Sequence, residues 1–338
     1  MKKILFIFTT ISMLLIACSS NGNKTGEQDR KGNDAITIKL VHEASEDHPQ
    51  GIGADLFKEL VEERLGESVE VEVYPNSSLF DIDEGLEALQ AGNIQMLSGP
   101  TAALVGMDPA YQLYNMPFLF ESTEQLRNFD KSEEGLLLRS KIEKNNLKIL
   151  STWFGNFKQI TNSKRPVNSP KDLEGLKMRV MAGGLLEEQY TMLGASAVVL
   201  PYSELYMALQ QGTIDGQENS FTEIATANLF EVQDYLTVTN HAPGSYPFIT
   251  NKEFWDGLPE DIKVELETII DEVEEEIASV VSDIEARDLQ TLEDSGIEIT
   301  TLSTEELEAF KEAMNPLYDQ YRESIGADIF DAALNFGK

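Results

Sequence analysis

The chain has 338 residues, more than one hydrophobic core usually organises, so two lobes are expected before any motif is read. Apolar residues at 41% and charged residues at 25% exclude disordered and fibrous classes. Fifty-nine acidic against 26 basic side chains give a formal net charge of −33, which repels phosphate backbones and anionic lipid and sets nucleic acid aside as a partner.

In chain order, Met1-Lys2-Lys3 precedes a mostly apolar run from Ile4 to Ile16. It is too short to span a bilayer but suits the core of an export signal. Leu15-Ile16-Ala17-Cys18 resembles the lipobox of bacterial lipoproteins, in which the cysteine is lipidated and becomes the mature N-terminus. Cys18 is the only cysteine, so no disulfide competes for it. Residues 1–17 are therefore expected to be a signal peptide. The polar, glycine-containing stretch 18–35 is expected to be a lipid-anchored flexible tether. No later stretch is apolar and long enough to cross a membrane, which leaves the lipid as the only expected membrane attachment.

The folded body is expected to open at Ile36 with a strand to Val41, a helix over Gly51–Leu65 and a strictly alternating strand Val69–Tyr74. A helix over Glu84–Ala91 and a strand over Ile94–Leu97 continue the alternation, which argues for α/β lobes with parallel-rich sheets. A second run begins with a strand at Lys148–Trp153. It continues through a strand Leu176–Val180, a helix Leu185–Leu193 and a strand Ala197–Leu200. From Pro259 to about Glu293, apolar residues at Ile262, Leu266, Ile269, Val273, Ile277, Val280 and Ile284 recur every three or four positions. A helix of that length is roughly 50 Å long and can brace both lobes.

Signatures of catalysis are missing. The three histidines, His42, His48 and His241, form no ligand pair at helical spacing, and no glycine-rich phosphate loop follows a strand. Neither a nucleophile elbow nor a cysteine nucleophile is present after processing at Cys18. No catalytic residue, metal or cofactor is expected.

The informative stretches are Thr161-Asn162-Ser163-Lys164-Arg165-Pro166-Val167, Asp172–Val180, Pro201-Tyr202-Ser203-Glu204-Leu205-Tyr206-Met207-Ala208-Leu209-Gln210 and Ile214-Asp215-Gly216-Gln217-Glu218-Asn219. Together with Val73-Tyr74-Pro75-Asn76-Ser77 and Phe254–Glu260, in this order and spacing, they resemble the solute-binding subunits of TRAP transporters, the DctP family. The resemblance implies a two-lobed, periplasmic-binding-protein-like Venus flytrap, with the long helix spanning both lobes. Lobe I is expected over 36–153 plus 241–284 and lobe II over 154–240 plus 285–338.

The resemblance also implies that Arg179 anchors a carboxylate, a role that the paired donors of a guanidinium suit and a lysine cannot reproduce. An acidic protein that binds an anion must gather its few cations in one cleft. Met181-Ala182-Gly183-Gly184 follows Arg179, and its glycines are expected to let backbone N–H groups and the next helix's N-terminus approach an anion. By the same transfer Asn219 hydrogen-bonds the ligand and Tyr202 packs on or caps it. Lys158 stands where many members carry a second arginine; it keeps the charge but loses the bidentate fork. His42 and Glu43, after the first strand, stand where the family places contacts to the far end of the ligand. A glutamate there favours hydroxyls or a cationic group.

The function thus implied is capture of a small organic acid (a dicarboxylate, a hydroxy or keto acid, or a sugar acid) outside the cytoplasm. The acid is then delivered to TRAP membrane subunits. A binding protein that presents its ligand to a receptor kinase stays open as an alternative. A hydrolase or lyase on a similar scaffold would need a catalytic constellation that the sequence lacks.

Overall fold

A computed structural model describes residues 35–337. The export segment, Cys18 and the tether up to Asp34 lie outside the described residues.

The opening follows the hydrophobic pattern: β1 (Ile36–His42), α1 (Pro49–Leu65) and β2 (Val69–Tyr74). Pro49 fits the first turn of α1, where its missing N–H is not needed. The α1 N-terminus is capped by His48, whose Nδ1 accepts from the Gln50 N–H at 3.1 Å. Next come α2 (Ile82–Gln90), β3 (Met96–Ser98), α3 (Thr123–Asp130) and α4 (Glu133–Ser140). Ser122 and Ser132 cap α3 and α4 by accepting from the Gln125 and Gly135 N–H groups.

The next strand, β4 (Leu147–Asn162), runs sixteen residues, far beyond the Trp153 end expected from its apolar start. Its second half carries buried polar residues, Gln159, Thr161 and Asn162, which hide it from a hydrophobicity reading. After it come β5 (Lys177–Val180), α5 (Leu185–Met192), β6 (Ser196–Val199), α6 (Leu205–Gln210), β7 (Gly216–Ser220), α7 (Phe221–Thr226) and β8 (Tyr235–Val238). The chain then forms β9 (Pro243–Asn251), α8 (Lys252–Asp256), α9 (Glu260–Ser295) and β10 (Glu298–Thr301). It finishes with α10 (Thr304–Met314), α11 (Pro316–Ile325) and α12 (Ala327–Asn335).

The architecture is a two-domain α/β fold with mixed sheets. The first sheet has the order β2-β1-β3-β9-β4, with β1 parallel to β2 and β3, and β9 antiparallel to β3 and β4. The far half of β4 then enters a second sheet. There it pairs antiparallel with β7 (Lys158 opposite Ser220, Asn162 opposite Gly216) and β8, while β5 runs parallel to both β7 and β6. Where β4 passes from one sheet to the other, its register with β9 shifts between Phe154 and Phe157. Gly155 sits at this irregularity, and a Cβ there would stand 3.0 Å from the Tyr246 ring.

The 36-residue α9 joins the two regions. At about 1.5 Å per residue it is about 54 Å long. Ile262, Leu266, Ile269, Val273 and Ile277 pack with Phe57, Trp153 and Phe248 of the first lobe, whereas Leu292 packs with Leu205, Ile214 and Ile224 of the second. One position of the expected stripe moves. Val281, not Val280, is the buried residue, because a 3.6-residue turn carries the apolar face from Ile277 to the position four residues on.

Candidate functional site

In both sheets the chain leaves the C-terminal ends of the parallel strands toward one cleft, the usual place for a ligand in open α/β sheets. Glu43 and Ala44 follow β1, Pro100–Ala102 follow β3, Met181 follows β5, Tyr202 follows β6, and Asn219 lies near the end of β7. With Gln50, Asn115, Lys158, Arg179, Glu223 and the start of β9 (Pro243–Tyr246), they line a cavity of about 520 Å³, counted to its open mouth. An outer vestibule of about 1130 Å³, open to solvent, continues past Glu43, Arg179 and Tyr202 to Asp81, Asp83, Gly183 and Gly184.

Arg179 is buried, at 2% exposure, and its Nε donates to the Leu200 carbonyl at 2.9 Å. That bond fixes the plane of the guanidinium at the end of the neighbouring strand. Neither terminal nitrogen has a protein partner among the described residues, and the side chain makes no ion pair. Desolvation pulls its pKa down while Glu43 across the cavity works in the opposite direction. A buried guanidinium with both terminal nitrogens unpaired and facing a cavity has the chemistry to hold an anion.

Lys158, also in the cavity wall, is in a different state. Its Nζ lies 3.1 Å from Glu218 Oε1, and the same carboxylate accepts from Gln189 Nε2 (3.0 Å), Tyr190 Oη (2.9 Å) and His241 Nε2 (2.9 Å). Burial alone would raise the Glu218 pKa, but the charge of Lys158 and the bond from His241 overcome it and hold the carboxyl well below the usual range. Lys158 is thus neither the solvated lysine nor the unopposed second cation that its position in the sequence leaves open.

Asn219 is buried, and its Nδ2 donates to Gln217 Oε1 at 2.6 Å. That use of the amide leaves the Oδ1 without a protein partner among the described residues. Tyr202, half-buried in a 3₁₀ turn, borders both the cavity and the vestibule, with its phenol pKa pushed up chiefly by desolvation.

On the first-lobe wall, Glu43 is half-buried and its carboxylate has no hydrogen-bond or ion-pair partner among the described residues. Desolvation pushes its pKa up to about 7; Arg179 opposes the rise, and Glu223, Asp81 and Asp83 add to it. His42, one residue earlier, is not on the wall of the cavity. Its ring is buried with Nδ1 unpartnered, and desolvation lowers its pKa to about 4. The strand alternation that brings Glu43 to the cleft turns His42 away from it.

The helix N-terminus expected to approach an anion also does otherwise. The Leu185 N–H at the start of α5 is taken by Gln112 Oε1 at 2.9 Å, and Gly183 and Gly184 border the vestibule and not the inner cavity.

Six polar wall residues escaped the sequence reading: Gln50, Thr101, Asn115, Glu223, Ser245 and Tyr246. Glu223 had a legible signal, the Ser220-x-x-Glu223 capping box of α7. Its carboxylate also accepts from Tyr246 Oη and, at 3.2 Å, from His48 Nε2. Although burial would raise its pKa, these partners hold it at about 2. Thr101 and Ser245 bond one another across the two segments, 2.9 Å apart, from stretches with no periodic pattern to announce them.

Comparison with known proteins places these features in a family. The family model described as "DctP: Bacterial extracellular solute-binding protein, family 7" matches residues 40–324. The C4-dicarboxylate-binding periplasmic protein DctP of Rhodobacter capsulatus is 37% identical over 302 residues, covering 88% of this chain and 90% of that protein. Among solved structures, a TRAP periplasmic solute-binding protein from Shewanella oneidensis with bound succinate has a TM-score of 0.87 at 31% identity, covering 90% of this chain and 100% of that one. The sugar-acid-binding protein DctPAm from Advenella mimigardefordensis, in complex with galactonate, also has a TM-score of 0.87, at 26% identity, covering 90% of this chain and 98% of that one.

Proposed function

The chain belongs to the DctP family of bacterial extracellular solute-binding proteins, and from that premise we propose that its cleft captures a small organic acid through the carboxylate and hands it to TRAP membrane subunits. The observation that carries this reading is the Arg179 guanidinium, buried yet with both terminal nitrogens free toward the cavity. Asn219 and Tyr202 complete the carboxylate end. Lys158 supplies a donor whose charge Glu218 already balances. Gln50, Thr101, Asn115, Ser245 and Glu43 offer hydrogen bonds to the rest of the ligand.

The relatives named above bind succinate in one case and galactonate in another, and the polar far wall suits either a second carboxylate or several hydroxyls. The ligand class is therefore a dicarboxylate, a hydroxy or keto acid, or a sugar acid. Binding favours the arrangement in which both lobes meet the ligand, and that population shift is what a membrane partner can read. The family is one of solute-binding proteins and performs no catalysis.

We further propose that the lobes divide as 36–153 plus 241–284 and 154–240 plus 285–338, and that Cys18 carries the lipid that holds the protein at the membrane. Metabolic labelling with a fatty acid tests the anchor, with the label expected on the intact chain and absent from Cys18→Ala.

A thermal-shift screen against organic acids, sugar acids, neutral sugars and amino acids tests the capture reading. A ligand at about a hundred times its Kd should stabilise the fold by about 2.7 kcal/mol. Shifts confined to carboxylates and lost in Arg179→Ala support it; shifts only with neutral or cationic solutes overturn it.

A further inference from the structure

Among the described residues, Glu43 is the one acidic group of the cavity wall without a hydrogen-bond or ion-pair partner. Glu223 is engaged by His48, Ser220 and Tyr246, and Glu218, behind the wall, by four donors. Glu43 shares the cavity with Arg179 but makes no ion pair with it, and the wall's other cation, Lys158, is held by Glu218, so among the described residues the one unbalanced cation near Glu43 is the one the ligand is proposed to take. Once a carboxylate occupies Arg179, Glu43 faces a new anion in a desolvated space and its partial compensation is spent.

Resting on the reading above, we propose that Glu43 takes up a proton from solvent when the cleft closes on its carboxylate ligand, and that the resulting carboxylic acid donates a hydrogen bond to the ligand's far end. No other atoms move. One proton passes from solvent to a Glu43 carboxylate oxygen, and the neutral acid gains the O–H donor that the carboxylate lacks. The device keeps the loaded cavity from holding Glu43 as an unpaired anion beside the ligand.

The groups facing Glu43 set its response. From the second lobe come Arg179 on β5, Lys158 on β4, Tyr202 after β6 and Glu223 on α7. From the first come Asp81 at the cap of α2 and Asp83 within it, while His42 and His48, which flank the loop, lie off the walls of the cavity and the vestibule. Lys158 is neutralised by Glu218, and the carboxylates all favour the protonated form of Glu43. The protein's own groups set Glu43 at about 7, with Glu223 at about 2 and His42 at about 4, far from neutrality. The ligand's own charge raises Glu43 further. Affinity is then level near and below about pH 7, and falls about tenfold per pH unit above it until the loaded form also loses its proton.

Isothermal titration of the full chain with succinate and with galactonate, in buffers of different ionisation enthalpy near pH 8, counts the protons. Uptake approaching one proton per ligand is expected, and it should vanish in Glu43→Gln together with the pH dependence of Kd. Binding without uptake in the unaltered protein overturns the inference and leaves the proposed function intact. Uptake that persists in Glu43→Gln moves the proton to another group and equally overturns it. Failure of every organic acid in the preceding screen would remove both.

Discussion

The two walls of the cleft spend their charges differently. On the second-lobe side the acids are paired: Glu218, behind the wall, is met by Lys158, His241, Gln189 and Tyr190, and what remains free on the wall is a cation, Arg179. On the first-lobe wall no cation stands among Glu43, Ala44, Gln50, Thr101 and Asn115, and what remains free is an acid. On the proposed function, one wall fixes the end of the ligand that every organic acid has, and the other reads the end that differs. Lys158 and Arg179 carry the same formal charge, yet only Arg179 offers the cavity an unbalanced one.

Breaking the balanced side is expected to have the largest effect, and on stability. Glu218→Gln leaves Lys158 buried without its counter-charge and should cost about 3–5 kcal/mol, read as a lower midpoint in urea unfolding. Breaking the unbalanced side should spare stability and fall on binding. Arg179→Ala is expected to lose about 2–5 kcal/mol of affinity for a carboxylate by calorimetry, while Arg179→Lys keeps the charge without the fork and recovers only part of it.

Acid should act on the carboxylates that the protein has paired. The Glu223 pKa is depressed in the folded chain to about 2 from the ordinary glutamate value of 4.5, so its contribution is fully present above about pH 4.5 and is lost as pH falls toward 2. The loss amounts to about 3 kcal/mol at most. Chemical unfolding of the unaltered chain and of Glu223→Gln across that range should converge at the acid end. The smallest effect sharpens the comparison within the anchor wall. Asn219→Ala removes one neutral hydrogen bond to the ligand and is expected to cost about 0.5–1.5 kcal/mol of affinity, far less than Arg179→Ala, in the same titration.

Much of the frame was legible in the sequence. The β1-α1-β2 opening follows from strict alternation and helical spacing, and α9 from an apolar stripe sustained over many turns. β9 was not legible because all nine of its residues are buried, so no alternation marks it, and Pro243, Gly244 and Pro247 argue against a strand. The far half of β4 was hidden for the converse reason: its buried residues are largely polar and satisfied by neighbours that only the fold supplies. Gln159 Oε1, for example, accepts from the Thr239 and Asn240 N–H groups.

For the site, the residue motifs placed Arg179, Asn219, Tyr202, Lys158 and Glu43 at one cavity, and the structure sets all five on its wall. His42, expected there with Glu43 because the resemblance puts contacts in the loop after the first strand, is instead the last residue of β1, buried and off the cavity wall. What the sequence alone determined was chemistry with short-range causes: which segments form strands and helices, which family pattern they follow, and that few cations are available to meet an anion. Which cation is free and which acid is exposed to the ligand was decided only by tertiary structure. A side chain's charge is set by the partners that folding brings within about 3 Å of it, and for Lys158, Glu218 and Glu43 those partners, or their absence, come from segments tens of residues away.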